Sequence, residues 1–584
     1  MQPVDRKHVI LMRPAVDAVA AALLVSALLT SCGGGGAGSV EVAPLSGGNP
    51  STEAPLSVRD ATRLADQASF GASEALVADI KAQGATTWVA SQMKLNSSRY
   101  LSGGNSGIHQ LTVAAAYCDL PANKTANCWR DSFSTHPLLW DFFRNAMTQP
   151  DQLRQRVAFA LQQIVVVSGL EVEGTYGFRT YHNNLLDNAF GNYRQVLKKV
   201  MLSPVMGDFL NNANNDKAAP NENFARELLQ LFSIGTCELN ADGTLKGGRC
   251  SPTYSNDTVR AYAYALTGWT YPAGGATPWG CGPEGANCRY YGGDMVPFER
   301  HHDAAERKLL SNVTLPPGHK TEVALERALD SLMAHPNIAP FIGRRLIQHL
   351  VSSNPSNGYV ARVAAAFARG VYRSAGQTFG AGQAGDLAAT VAAVLLDPEV
   401  RGTQAGRNAG KLREPMLLFT GVLRALNGQT DGDVFGWWGD ELRQHGFRSP
   451  SVFNFYPPDY PVAGSQLVGP TFGVHNANAA LQRINFLFYL LDWGGAAPNA
   501  SVPNAVGTKV DLSAFTAAAA DAPALVDRLS VLALGQTLSG PSRDDVITAV
   551  SWWTPANDKD SWQLNRVKTA AYLVFGSPNY QVQR

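Results

Sequence analysis

Apolar residues recur at helical spacing along most of the chain. In Asp151-Gln-Leu-Arg-Gln-Arg-Val-Ala-Phe-Ala-Leu-Gln-Gln-Ile164, residues Leu153, Val157, Leu161 and Ile164 form one helical stripe, and Pro150-Asp151 marks its start. Comparable periodicity predicts helices near 73–83, 136–147, 192–202, 222–234, 257–268, 337–351, 359–369, 386–396, 412–425, 475–493 and 561–574. Strict two-residue alternation is scarce, so the fold is expected to be mostly α with little β. Long loops fall at 237–256, 270–320 and 427–470, and loops of that length on a helical scaffold often carry function. No 34- or 40-residue repeat is visible, which argues against a regular solenoid. No linker interrupts 57–584, so the pattern predicts one large multi-helix globular domain there.

The pattern changes before residue 57. Arg6, Lys7 and Arg13 precede an apolar run from Ala18 to Leu29, which ends in Leu29-Thr-Ser-Cys32. A basic segment, a short apolar core and small residues describe a secretory signal over 1–31. The core is too short for the ~20 residues that span a bilayer as a helix. Its end resembles a bacterial lipobox, in which Cys32 is acylated and becomes the mature N-terminus. An ordinary signal with an incidental cysteine is the alternative, and Met12 is an alternative start. Residues 32–56 are rich in Gly, Ser and Pro without an aromatic residue, which suits a flexible tether of roughly 25–30 Å reach. The expected place is the cell envelope, at a membrane held by the lipid, with the outer membrane the expected one.

Composition sharpens this. Of 584 residues, 45% are hydrophobic and 16% charged, which excludes disorder for most of the chain. Lys and Arg number 48 against 47 Asp and Glu, so there is no field to attract nucleic acid. Cysteines number seven, an odd count. With Cys32 set aside for lipid, proximity favours the pairs Cys118–Cys128, Cys237–Cys250 and Cys281–Cys288, which an oxidising compartment would lock. Free thiols are the alternative; zinc fails because no C-x2-C pair exists.

Familiar catalytic signatures are absent: no G-x-S-x-G elbow, no H-E-x-x-H, no Walker loop. A G-x-G-x-x-G stands at Gly380-Ala-Gly382-Gln-Ala-Gly385, but the preceding Tyr372–Phe379 does not read as the buried strand a dinucleotide site needs.

The segment that stands out holds Asn211, Asn212, Asn214, Asn215 and Asp216, then Pro220-Asn-Glu-Asn-Phe-Ala-Arg-Glu227. On a helical wheel at ~100° per residue, Phe224, Leu228 and Leu231 share the core face and Glu222 pairs with Arg226 on the opposite side. Asn223 and Glu227 lie at the margin of the apolar stripe. Glu227 is therefore the candidate general acid or base, since burial at a core edge raises a carboxyl pKa. Glu222 instead complements the helix dipole. The same residues also describe a capped helix with an Asn-rich loop locked by its own hydrogen bonds. A second cluster, His301-His302-Asp303, offers His302 and Asp303 as an acid/base pair or as ligands of a divalent cation. Asn214, Asn221 and Asn223 are candidates to hold substrate hydroxyls. Trp269, Arg413 of Arg413-Glu-Pro415, and the aromatic run Ser449–Tyr456 are further candidates, the last to line a pocket or stack on sugars.

Taken in order, these segments resemble the bacterial family called domain of unknown function 1800. They include Arg63-Leu-Ala-Asp-Gln-Ala-Ser-Phe-Gly71, His136-Pro, Asp151–Ala160, Gly191-Asn-Tyr193 and Pro220–Leu228. Ala265-Leu-Thr-Gly-Trp269, His302-Asp303, Ser352-Ser-Asn-Pro355, Lys411-Leu-Arg-Glu-Pro415, Pro450–Tyr456 and Ser577–Gln583 follow. Gly469-Pro-Thr-Phe472 departs from the pattern, which expects an acidic residue after the proline. The resemblance implies a largely helical, exported protein that often accompanies a second exported family, domain of unknown function 1501. It brings no established activity.

Two functions follow as expectations. The first is a lipid-anchored hydrolase or related enzyme acting on an extracellular polymer such as a glycan, with Glu227, His302 and Asp303 in the catalytic roles. The second is a non-enzymatic envelope protein that assembles with an exported partner and shows an exposed apolar patch.

Overall fold

The computed structural model describes residues 55–272, 279–281, 287–402, 406 and 408–584. The expected signal, Cys32 and all of the tether but its last two residues lie outside these. The structure is 52% helical, and its strands pair only as short two-stranded sheets. Residues 51–584 form one compact unit. Among the described residues no helix is long and apolar enough to cross a membrane.

The helices expected from periodicity form, for example Glu74–Gln83, His136–Thr148, Tyr193–Leu202, Ile338–Leu350 and Pro415–Ala425. The Gln152–Gln162 helix is buried on all sides, with Leu153, Val157 and Leu161 at 0% exposure. Arg154 and Arg156 are therefore inside. Both donate to carbonyls at or just past the ends of other helices. Arg154 donates to Leu95 O at 2.7 Å and Leu186 O at 2.9 Å, and Arg156 Nη2 donates to His349 O at 2.8 Å. Asp151 occupies the N-cap position, yet its carboxylate turns away to accept from the backbone N–H groups of Ser97 and Ser98 at 2.9 and 2.8 Å.

Helices that periodicity did not predict include Val58–Ala68, Thr175–Asp187, Thr321–Met333 and Ala522–Leu534. Short pairings also fold the long loops: Trp269–Thr270 with Val296–Pro297, and Arg307–Lys308 with Thr314–Leu315. The segment before Gly380 is a small hairpin, Tyr372–Ser374 against Gln377–Phe379. All three expected cysteine pairs form, Cys118–Cys128, Cys237–Cys250 and Cys281–Cys288. Three local disulfides fit an exported protein.

Near the end of the chain, Val582–Gln583 pairs with Lys411–Leu412 in antiparallel register. That clasp fixes the segment around which the polar interior is built.

Candidate functional site

The Asn-rich loop and the histidine pair do come together. Asn211 and Asn214 adopt left-handed backbone at φ 59°, a conformation asparagine tolerates better than most residues. Asn214 N–H donates to Trp269 O at 2.8 Å, while its side-chain oxygen accepts from Thr270 Oγ1 at 2.6 Å. Asn215 Oδ1 accepts from Asn221 N at 2.8 Å, and Asn223 Nδ2 donates to Asn211 Oδ1 at 3.2 Å. Gly268 N–H donates to Asn215 O, and any Cβ on Gly268 (φ 86°) would meet His302 Cβ at 2.8 Å. The amides that were expected to hold substrate are thus engaged in locking this loop.

The adjacent histidines diverge. His301 pairs with Asp216 and stacks on Trp279, ring centroids 3.8 Å apart. His302 is buried, its Nδ1 2.9 Å from Thr267 O and its ring edge-on to His319 at 5.1 Å. Burial keeps the His302 pKa below its usual value. Asp303, expected in a catalytic or ligand role, holds Arg307 at 2.7 Å. Among the described residues no group of three or more His, Cys, Asp or Glu could hold a metal ion.

Glu227 sits on the Asn223–Gln230 helix, which is shorter than the 222–234 expected. The Glu222–Arg226 pair forms at 3.0 Å, and Phe224 and Leu228 are buried. Glu227 is 8% exposed with Oε2 unpaired, and burial raises its pKa. No hydrogen bond or ion pair links it to His302 or Asp303 among the described residues. Trp269 is buried at 3% and offers no platform for a sugar. Arg413, expected at substrate, is an internal strut: its Nη2 pairs with Asp66 and its Nε donates to Tyr580 O at 2.8 Å.

A different set of residues makes the strongest site. One cavity of about 50 Å³ opens between the Gln152–Gln162 helix end, the Ile338–Leu350 helix, the Lys411 segment and the Val452–Thr471 loop. Lys411 lines it. The lysine is 5% exposed; its Nζ donates to His349 O and lies 3.5 Å from Glu414 Oε1. Glu414 is wholly buried, and its Oε2 accepts from Gln444 Nε2 at 2.8 Å and from Tyr456 OH at 3.0 Å. Gln444 is itself oriented by Met416 N–H, which donates to its Oε1 at 3.0 Å.

Charge is unevenly balanced here. Lys411, Arg156 and Arg483 act on Glu414, and in a low-dielectric setting each matters more than at the surface. Burial pulls the Lys411 amine down to about 7, against the pull of Glu414. Burial alone would raise Glu414, but Lys411 and Arg156 hold it below the usual carboxylate range. Arg345 is reached from the cavity mouth yet lies deep among protein atoms, and burial lowers it to about 10, so it stays charged. His349, in the same position, is pulled to about 3 and stays neutral.

The cavity gathers three segments named above for their order along the chain: those containing Ser353, Lys411, and Asn454 with Tyr456. The Arg413 singled out from the sequence lies one residue from Glu414 and two from Lys411. In the Lys411-Leu-Arg-Glu-Pro415 turn the side chains of Lys411 and Glu414 face one way and Arg413 the other. Gln163, Arg345 and His349 carried no local signal at all.

Fold and cavity define the class: a mostly helical protein whose interior holds a buried lysine–glutamate pair beside a cavity. The chain belongs to the family described as "Protein of unknown function (DUF1800)", whose model matches residues 63–582. No curated protein and no solved structure matches it.

Proposed function

We propose that the chain is an exported, lipid-anchored enzyme of the cell envelope, a hydrolase or related enzyme acting on an extracellular polymer such as a glycan, with its centre at the Lys411 cavity. One observation carries this reading. A lysine, a glutamate and a tyrosine are held together inside the protein beside a cavity, an arrangement that costs desolvation energy and that a merely stable core does better without. A lysine that titrates near neutrality presents a free amine as base or nucleophile. The charged Arg345 stands ready to stabilise developing negative charge. At the rim, Phe453 is 46% exposed beside Pro458 and Pro470, an apolar face on which a sugar ring can stack. Cys32 supplies the anchor and the outer membrane the place.

The test is release of new chain ends from a panel of envelope and extracellular polymers by the purified protein. Turnover that disappears in Lys411→Met while the melting transition persists supports the reading. A wild-type protein inert on every polymer overturns it. Membrane fractionation of Cys32→Ser, which should free the protein from the membrane, tests the anchor.

A second reading has its own support: a non-enzymatic protein assembling with an exported partner such as a domain of unknown function 1501 protein. Trp437 and Trp493 are 56% and 70% exposed, and Phe488 is 42% exposed. Trp438 and Tyr489 link them into one aromatic surface. Co-purification from membranes with retention of a stoichiometric partner, lost on Trp493→Ser, would favour it.

A further inference from the structure

We infer that the Lys411 cavity binds a carboxylate, held between the Arg345 guanidinium and the Gln163 side-chain amide with the Lys411 amine beside it. This deepens the reading of the cavity as an active centre and rests on it: the polymer acted on is acidic, or ends in an acid.

Three observations converge. The first concerns Gln163, which is 7% exposed and lines the cavity. Its Oε1 accepts from Asn454 Nδ2 at 3.1 Å and lies 3.1 Å from Tyr456 OH. Nε2 is a buried donor without a partner among the described residues. An unpaired buried donor costs about 1–3 kcal/mol, so an acceptor in the cavity is favoured.

The second concerns Arg345. Its guanidinium lies over the Phe341 ring, 4.9 Å from the centroid, and among the described residues its only hydrogen bond is a long one to Gln348 Oε1 at 3.4 Å. It makes no ion pair among the described residues; Asp459 acts on it only at longer range. A fixed, charged, under-used guanidinium is a ready fork for a carboxylate.

The third is the lining itself. Gln163, Arg345 and Lys411 line it as the groups with donors to offer, and no Asp or Glu among the described residues lines the cavity. At about 50 Å³ it has room for a group of three or four heavy atoms, since one water needs roughly 10–15 Å³ on the same measure. A planar carboxylate fits that size. With a net charge of +1 the chain has no long-range field, so recognition is local and resists salt, unlike binding of a polyanion to a basic surface.

A carboxylate can come from a sugar acid or from a peptide terminus. Calorimetric titration of the full chain with glucuronate and with N-acetylalanine, beside uncharged glucose and N-acetylalaninamide, separates them. One acid should bind at least about ten-fold more tightly than its uncharged counterpart. Arg345→Gln should weaken that binding about ten-fold or more and Gln163→Leu by a similar factor, while Arg345→Lys retains part of it; melting curves establish that each variant is folded. Preference for glucuronate assigns a sugar acid, and preference for N-acetylalanine assigns a peptide terminus. Equal binding of charged and uncharged compounds, an unaffected Arg345→Gln, or no binding of either acid at ~10 mM overturns the inference. Polymer turnover that persists alongside any of those results leaves the enzyme reading standing and removes the carboxylate alone.

Discussion

Lys411 Nζ lies 3.5 Å from Glu414 Oε1, with the two side chains 4% and 0% exposed. They are three residues apart at a strand-to-helix turn, where Lys411 ends the pairing with Gln583 and Glu414 sits at the N-cap of the Pro415–Ala425 helix. Such a pair is held in place by the fold rather than drawn together by its own attraction, because desolvation cancels much of the Coulomb gain.

Removing one partner should therefore be worse than removing both. Glu414→Gln leaves Lys411 and Arg156 without a buried counter-charge and is expected to cost about 3–5 kcal/mol. The double change Lys411→Met with Glu414→Gln should cost less than the two single changes summed. Urea unfolding of the four proteins gives the coupling directly; strict additivity would show that the pair does not interact.

Turnover should rise with pH through about 7. Below that value Lys411 is protonated and cannot act as base or nucleophile; above it the amine is free. Lys411→Arg keeps a cation that never deprotonates in this range and should lose turnover at every pH. A pH profile of kcat/KM for wild type and for this variant checks both statements.

Much of the fold is legible in the sequence, and the reason for the shortfall is physical. The Leu153–Val157–Leu161 stripe announces its helix because apolar side chains repeat at 3.6 residues. Arg154 and Arg156 are buried as well, and donate to carbonyls at the ends of distant helices. No local spacing carries that information. The catalytic candidates met the same limit: Gln163, Arg345, Lys411 and Tyr456 are contributed by four separate segments. Lys411 and Glu414 flank the one residue of that turn, Arg413, that was singled out. The Asn-rich run was legible as chemistry of some kind, but the left-handed turns at Asn211 and Asn214 explain it as a loop lock as readily as a site.

Acid should destabilise the protein through its buried histidines. His182 is 2% exposed among Tyr100, Phe178, Tyr181 and Phe447, and burial pulls it to about 3. The unfolded chain binds a proton at His182 below pH ~6.5 while the folded chain does not, so stability falls as pH drops from 6.5 toward 3. Between pH 8 and 5 this one residue accounts for roughly 2 kcal/mol. Urea midpoints at the two pH values should differ less in His182→Gln than in wild type; an unchanged difference would assign the acid sensitivity elsewhere.

Reduction should weaken the fold in three separable parts. Cys118–Cys128, Cys237–Cys250 and Cys281–Cys288 close loops with sequence separations of 10, 13 and 7. Loop-closure entropy gives each about 2.5–3 kcal/mol. Paired Cys→Ser variants should each lower the melting temperature, and reductant should lower that of wild type below any single pair.

The central claim is that Lys411 is an amine active at neutral pH within the cavity. Acetylation by a small anhydride, followed residue by residue by mass spectrometry across pH, measures this most directly. Lys411 is predicted to react with a midpoint near 7, well below the ~10.4 of the exposed lysines. A Lys411 that titrates with the surface lysines, or that fails to react at any pH at which the protein is folded, would contradict it.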